Sequence, residues 1–383
     1  MLQHSSSNCA EKPWRSYKMK EVTVQLPQKH QRPEEPWQRH LSIDLIWYVL
    51  GYTLFHPFVS WVVVLCLRAQ YTAYGAPEMR IAVAWSILMS AIGIFHMISE
   101  RIAFGAPRDV QLADEVIVVT GGVDGLGGLL AETYGMRNAN IAVLDTKPVD
   151  ADEAEEKGVV YYQCDVSDAK QVEAAAAKIA QDLGPPTILI NNAGIVYKKS
   201  ILDTTMEEVE KTFRVNTLSH FFTLQAFLPH MIRQGRGTIV TVSSVLGHVG
   251  AANLSAYASS KAALLALHHS LRAELGQMPE AAEIKTILVT PGQMSTRMFA
   301  DVAPPSHFFA PIATPADLAK SIIRLVDRGE SGDVAIPLYS HYIALFSVLP
   351  VGIQHLLRRW SGLDHAVRNA RSNPSSSPVG KKD

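Results

Sequence analysis

From about residue 112, short and continuously apolar runs alternate with amphipathic ones, and few architectures accept that pattern. The apolar runs are Glu115–Thr120, Ile141–Asp145, Val159–Cys164, Thr187–Asn191, Gly237–Ser243, Lys285–Thr290 and Asp333–Ile336. Runs this short and this uniformly apolar read as strands buried on both faces. The segments between them, such as Ser167–Leu183, Met206–Arg233 and Pro315–Arg328, read as the helices that cover those faces. The expected fold is α/β, a Rossmann-type doubly wound parallel sheet of about seven strands over residues 112–340. Seven strands in roughly 225 residues leave no room for a second sizeable domain.

Two apolar stretches precede the sheet. Leu45–Leu67 and Ile81–Ile98 are each long enough to span a bilayer as a helix, and the first carries no charged side chain. Gly51, His56 and Pro57 interrupt the first stretch, which suits a kinked or re-entrant segment. Residues 41–104 therefore read as a membrane-anchoring helical hairpin; two buried helices of a larger soluble core are the alternative. A signal peptide is not expected, because the apolar region is too long and starts too far from Met1. Lys12, Arg15, Lys18, Lys20, Lys29, Arg32 and Arg39 precede the first stretch, and Arg101 and Arg108 follow the second. The positive-inside tendency puts both flanks in the cytosol.

Residues 1–40, polar and proline-dotted, read as a flexible cytosolic segment, and residues 361–383 as a disordered tail. The apolar stretch 341–360, broken by Pro350 and followed by Arg358 and Arg359, reads as a membrane-proximal helix or one packed on the sheet. A net charge of −1 argues against a nucleic-acid partner. Cys9, Cys66 and Cys164 are too scattered for a metal site or a disulfide framework. His248, His268 and His269 read as ordinary helix or loop residues.

The chemistry-bearing residues fall at the strand ends. Tyr257 and Lys261 lie four apart in an Ala/Leu-rich run that reads as helix, so both side chains share a face. A phenol titrates near 10, about three units above neutrality, a gap of about 4 kcal/mol. A lysine cation roughly 4 Å away supplies a term of that size in a partly screened site. Alone, Tyr-x-x-x-Lys is also what a helix-surface pair looks like. Ser244 closes the fifth apolar run, where an open α/β sheet places its ligand. The first run leads into Thr120, Gly121, Gly125, Leu126 and Gly127, a glycine-rich turn before a helix, suited to a pyrophosphate. Asp145 ends the second run and favours NAD(H) over NADP(H), because a carboxylate repels a 2′-phosphate. Asp124 adds to that bias, and Lys147 reads as solvated.

Together, Thr120-Gly121-x3-Gly125-x-Gly127, Asn191-Asn192-Ala193-Gly194, Asn216, Ser244, Tyr257-x3-Lys261 and Pro291-Gly292-x3-Thr296 resemble the short-chain dehydrogenase/reductase family. The text from Asn191 to Leu275 is similar to its membrane-associated retinol dehydrogenase and 17-beta-hydroxysteroid dehydrogenase branch. The resemblance implies that Tyr257 is the general acid/base, Lys261 lowers its pKa, Ser244 bonds the substrate oxygen, and Asn216 positions a relay water. It implies cofactor contacts from Thr120, Gly121, Gly125, Leu126, Gly127 and Asp145, and from Asp165 and Val166 at the adenine. Asn192, Ala193 and Gly194 would line the cofactor and stabilise the sheet, Pro291, Gly292 and Thr296 would contact the nicotinamide end, and Tyr257 and Lys261 would also meet the cofactor, Lys261 at the nicotinamide ribose. It further implies an endoplasmic reticulum or lipid-droplet location with the catalytic domain facing the cytosol, and a possible homodimer.

The expected activity is hydride transfer between NAD(H) and a lipophilic alcohol or ketone such as a retinoid, steroid or long-chain lipid. No metal is called for. An NADPH-dependent lipid ketoreductase is the alternative within enzymes. A non-catalytic membrane or lipid-droplet scaffold predicts a broken catalytic set, and this set is complete. The stretch Met298–Phe309 reads either as a lid over the substrate or as a surface loop.

Overall fold

The computed structural model describes residues 41–364 except 301, 303–305 and 307. The segments expected to be a flexible N-terminus and most of the disordered tail lie outside the described residues. Seven strands form one fully parallel sheet in the order β3-β2-β1-β4-β5-β6-β7. They are β1 Val116–Thr120, β2 Asn140–Asp145, β3 Val160–Gln163, β4 Ile188–Asn191, β5 Gly237–Val242, β6 Ile284–Val289 and β7 Gly332–Val334. All seven expected apolar runs are strands, and β1, β4, β5 and β6 are buried along their whole length. Successive strands are added outward in one direction from β1 to β3 and in the other from β4 to β7, and that switch point between β1 and β4 opens a crevice at the carboxyl ends of the strands.

Helices α4 (Gly125–Gly135) and α10 (Pro315–Asp327) cover one face of the sheet. Thr314 caps α10 by accepting from Asp317 N, Pro315 fits its first turn, and Leu318, Ile322 and Val326 are buried at one-turn spacing. On the other face lie α6 (Ala169–Asp182), α8 (Ser219–Gln234) and α9 (Ser255–Leu275), packing Ile179, Phe227 and Leu271 on the sheet. The short α5 (Ala151–Glu156) joins β2 to β3.

The expected continuous helix from Met206 to Arg233 is not continuous. α7 (Met206–Phe213) and α8 are joined by a five-residue π turn, Arg214–Leu218. Such a turn inserts an extra residue into a helix and is found mostly at functional sites.

The first apolar stretch folds as α1 (Ile43–Tyr52) and α2 (Pro57–Ala69), bent by 55° at the break around His56. The second is α3 (Pro77–Phe104), 28 residues long and apolar enough to cross a membrane. Trp61 donates to Ser90 Oγ (3.0 Å), and Trp85 to the Leu54 carbonyl (2.9 Å), so indole N–H groups tie the two arms together. Among the described residues Ile81, Phe95 and Ile102 of α3 are more than two-thirds exposed.

Arg108, just after α3, is not the surface charge that the flanking-charge count assumed. Its guanidinium is buried, donating to Glu115 at 2.6 and 3.2 Å and to Thr238 Oγ1 at 3.1 Å. Its backbone N–H donates to the carbonyl of Gly329 (2.9 Å), pinning the linker beneath the sheet. Gly329 has φ +61°, and a Cβ there would sit 2.1 Å from the Arg108 oxygen, so only glycine fits. Beyond β7, α11 (Leu338–Tyr342) leads through a 3₁₀ stretch to α12 (Val351–Ser361), whose outer side exposes Val351, Leu356 and Trp360.

Candidate active site

Backbone rather than side chains shapes the cofactor end of the crevice. Gly121 (φ +63°) turns the chain out of β1, and a Cβ there would meet the backbone of Ala193 at 2.9 Å. Gly127 lets α4 close on the sheet, since a Cβ would fall 2.2 Å from the Gly121 carbonyl and 2.4 Å from Asn192 Nδ2. At Gly125, by contrast, a Cβ would meet only Thr296, at 3.9 Å, so the turn is open toward the crevice. The first N–H groups of α4 face that opening without intrahelical partners. The Leu126 side chain is in the core, so its backbone is the part near the turn.

Thr120 and Asn192 knit the turn together. Thr120 Oγ1 accepts from the N–H groups of Asn192 and Ala193 (3.0 and 3.1 Å), while Asn192 Nδ2 donates to the carbonyls of Thr120 and Gly121. Asp145 accepts from the N–H of Val123 and of Lys147, both at 3.2 Å, which holds its carboxylate at the end of β2. Asp165 folds back to accept from Ser167 N (2.9 Å), and Val166 is buried beside it. Lys147 is not simply solvated. It pairs with Asp124, which Arg297 also approaches at 3.8 Å, and the Lys147 bond holds the Asp124 carboxyl below its usual range.

At the other end of the crevice, Ser244, Tyr257, Lys261 and Asn216 converge from β5, α9 and the π turn. Tyr257 and Lys261 share a face of α9, and the lysine Nζ lies 5.9 Å from the tyrosine ring centre. Burial pushes the Tyr257 phenol up to about 12, against a smaller downward pull from its hydrogen bond with Ser244. Burial also lowers Lys261 to about 8, and its Nζ donates to the Val242 carbonyl (2.8 Å). In this state, then, Ser244 rather than Lys261 pulls the phenol down, and desolvation outweighs that pull.

The Ser244 hydroxyl accepts from Leu246 N (3.2 Å), which leaves its own proton to donate. Ser243 instead donates to the Lys261 carbonyl (2.9 Å), so it braces α9 and the two neighbouring serines have separate jobs. The π turn aims Asn216 at the loop after β4. Its Oδ1 accepts from Ile195 N (2.8 Å), and its Nδ2 donates to Ile195 O and Ser260 Oγ (both 3.0 Å).

These residues fit a nicotinamide dinucleotide. Gly194 leaves a gap whose missing Cβ would sit 3.5 Å from Asn216 Oδ1 and 3.7 Å from Lys261 Nζ. Thr296 Oγ1 is buried without a hydrogen-bond partner, which is how a donor meant for a ligand looks in its absence. Gly292 is held by Ile336 O (2.8 Å), and Pro291 O accepts from Val245 N (3.0 Å), fixing the loop that carries Thr296.

Beyond Ser244 opens an apolar chamber of about 460 Å³, walled by Val245, Leu254, Phe299, Tyr339, Phe346 and Trp360 among others. Phe299 meets Tyr257 edge-on, with ring centres 5.8 Å apart. The roof comes from three distant segments: Ile43 of α1, Phe309 and Ala310, and the end of α12. Of the expected lid, Phe299 and Phe309 line the chamber, whereas Pro304, Pro305 and His307 lie outside the described residues.

The short chain dehydrogenase family profile matches residues 115–306. Short-chain dehydrogenase/reductase family 16C member 6 of Bos taurus is 32% identical over 282 residues, covering 71% of this chain and 88% of that protein. Estradiol 17-beta-dehydrogenase 11 of Pongo abelii is 32% identical over 222 residues, 56% of this chain and 73% of that one. A solved short-chain dehydrogenase from Streptomyces avermitilis shares the fold, with a TM-score of 0.53 at 22% identity over 65% of this chain and 97% of its own. The chain belongs to the short-chain dehydrogenase/reductase family, in the retinol and hydroxysteroid dehydrogenase branch, and is an NAD(P)-dependent enzyme acting on CH–OH groups.

Proposed function

We propose that this enzyme is membrane-attached and interconverts a lipophilic secondary or primary alcohol and its carbonyl with NAD(H). The observation that carries the substrate reading is the chamber: it begins at Ser244 and is apolar over nearly all its walls. Membrane attachment is supported by the length of α3 and by its exposed apolar surface, which an aqueous environment penalises. The α12 segment, with Leu356 and Trp360 outside and Arg358 and Arg359 near its end, suits a bilayer interface. An endoplasmic reticulum or lipid-droplet surface facing the cytosol is the setting this reading carries.

The bound nicotinamide supplies the hydride acceptor or donor. Gly121, Gly125, Gly127 and the α4 N-terminus would hold the pyrophosphate, Asp145 the adenosine ribose, and Asp165 with Val166 the adenine. Lys261, Asn192, Ala193 and Gly194 would hold the second ribose, and Pro291, Gly292 and Thr296 the ring. Ser244 donates to the substrate oxygen and orients it. Tyr257 takes or gives the proton at that oxygen. Lys261, depressed to about 8, passes a proton readily near neutrality, and Asn216 holds the Ile195 backbone beside it.

The test is turnover of a panel of retinoids, sterols and long-chain alcohols by full-length protein in micelles, with NAD⁺ and NADP⁺ in parallel. The expected result is NADH formation with long apolar alcohols, at a kcat/KM for NAD⁺ at least about tenfold above that for NADP⁺, the size of one charge contact. Lys147 and Arg297 favour the competing reading, an NADP(H)-dependent ketoreductase, and higher efficiency with NADP(H) would establish it.

The raised Tyr257 also fixes the pH response of the two directions. Below about 12 the phenol of the free enzyme is protonated, so ketone reduction has its acid in place at neutral pH. Alcohol oxidation needs the deprotonated form, whose fraction rises with pH. Oxidation kcat/KM should climb from pH 6 to 9 while reduction stays flat or falls. Opposite slopes would remove Tyr257 from the proton step.

A further inference from the structure

We infer that the pair Arg358 and Asp364 is a latch that holds α12 over the apolar chamber and decides how long a lipophilic substrate stays. The inference rests on the chamber being the substrate site. Arg358 reaches Asp364 with two bonds, Nε to Oδ2 at 3.1 Å and Nη2 to Oδ1 at 2.6 Å. The same Nη2 donates to the Gly250 carbonyl at 2.7 Å, and Asp364 Oδ1 accepts from the N–H of Ala252 at 3.2 Å. Both members of the pair therefore grip one short loop, Gly250–Ala252, which ends five residues before Tyr257. Arg358, Trp360, Ser361 and Leu363 line the chamber from the roof side, and Ala251 of that loop and Leu254 just beyond it line it from the other.

On this side Leu363 also packs on the apolar cluster of Ala251, Leu254 and Val302. Along α12 no residue is fully buried, and Trp360 touches the rest of the roof through its ring contact with Phe309 at 5.1 Å. The opposite side is separately fastened: Ile43 N donates to the Phe308 carbonyl (3.1 Å), and Asp44 accepts from Leu338 N (3.0 Å). Two bonds cross the seam between α12 and the loop, Arg358 Nη2 to Gly250 O and Ala252 N to Asp364 Oδ1, and the Arg358–Asp364 pair, six residues apart on the α12 side, holds both groups in position to make them. The pair is directional and partly exposed, so water can replace its two bonds to the loop as the seam opens, and removing either member loosens the other's hold on the loop. The seam between α12 and Gly250–Ala252 is therefore the gate, and the ion pair sets its opening rate.

The experiment measures release of a neutral apolar fluorophore, N-phenyl-1-naphthylamine, from full-length protein in micelles into excess phosphatidylcholine vesicles. Only the signal displaced by a long-chain alcohol is counted. Arg358→Ala and Asp364→Ala should each speed release about tenfold, and the double variant should be no faster than either, as expected for one coupled interaction. The ratio of kcat/KM for a long alcohol to that for a short one should fall about tenfold in the same variants.

The milder Arg358→Gln and Asp364→Asn should shift both quantities in the same direction and guard against a folding defect. Release and ratio within twofold of the parent in all four variants, additive effects in the double, or equal loss with long and short alcohols would overturn the latch. Failure of the parent to oxidise any lipid alcohol would sink the functional reading instead, and fluorophore release would still decide the latch.

Discussion

Tyr257→Phe should lower turnover by about 10² to 10⁴, the range typical of removing a positioned proton donor, while NADH binding followed by its fluorescence stays within a few-fold of the parent. The change deletes one oxygen and keeps the ring, its edge-on contact with Phe299 and its burial. Only the hydrogen bond with Ser244 is lost, so folding should be little affected. Because the ring stays in place, loss of rate with binding intact isolates the proton step from crevice assembly. Turnover within tenfold of the parent would mean that another group carries the proton, and the assignment of Ser244, Lys261 and Asn216 around it would need revision.

Glu115→Ala should cost about 3–5 kcal/mol of stability, the usual consequence of stranding one member of a buried ion pair. Arg108 would keep its charge in a site where both side chains are fully buried, with only Thr238 Oγ1 and the Asp109 carbonyl left to it. Against a total of about 5–15 kcal/mol, that is a large fraction. Thermal unfolding should show it as a drop of many degrees, or as loss of soluble expression. Replacing both residues together with leucine and methionine should be far milder, since no charge is left unpaired. A single variant as stable as the parent would show that water reaches this site.

The sheet was legible because strands buried on both faces need apolar residues at every position, and β1, β4, β5 and β6 leave no ambiguity of period. The glycine turn was legible for a related reason: Gly121 and Gly127 stand where backbone must pass within bonding distance of backbone. Other features hide from the sequence because their partners are remote. Arg108 read as a flanking charge because Thr238, 130 positions away, is what makes it internal. Lys147 read as solvated because the turn that brings Asp124 to it is tertiary.

The electrostatics of the catalytic pair were legible only in part. Four-residue spacing on a helix correctly puts Tyr257 and Lys261 on one face, but not the lysine's bond to Val242 O or the weight of desolvation on both groups. The chamber roof was least legible of all, since Ile43, Phe309 and Trp360 come from three ends of the chain and no local pattern links them. Nothing in the residues Arg214–Leu218 marks a π turn either; their apolar spacing continues the helix.

That turn has a consequence for how the chain tolerates length changes. A surplus of one residue in a helix is all that separates it from regular α geometry. Excising Val215 would let the helix heal into an unbroken rod, with α7 and α8 keeping the faces they bury, because the π turn is where the surplus residue is absorbed. Asn216 would no longer face the Ile195 backbone. A deletion that leaves the protein folded and soluble would thus silence it, and chain count at this spot is as much a part of the chemistry as residue identity.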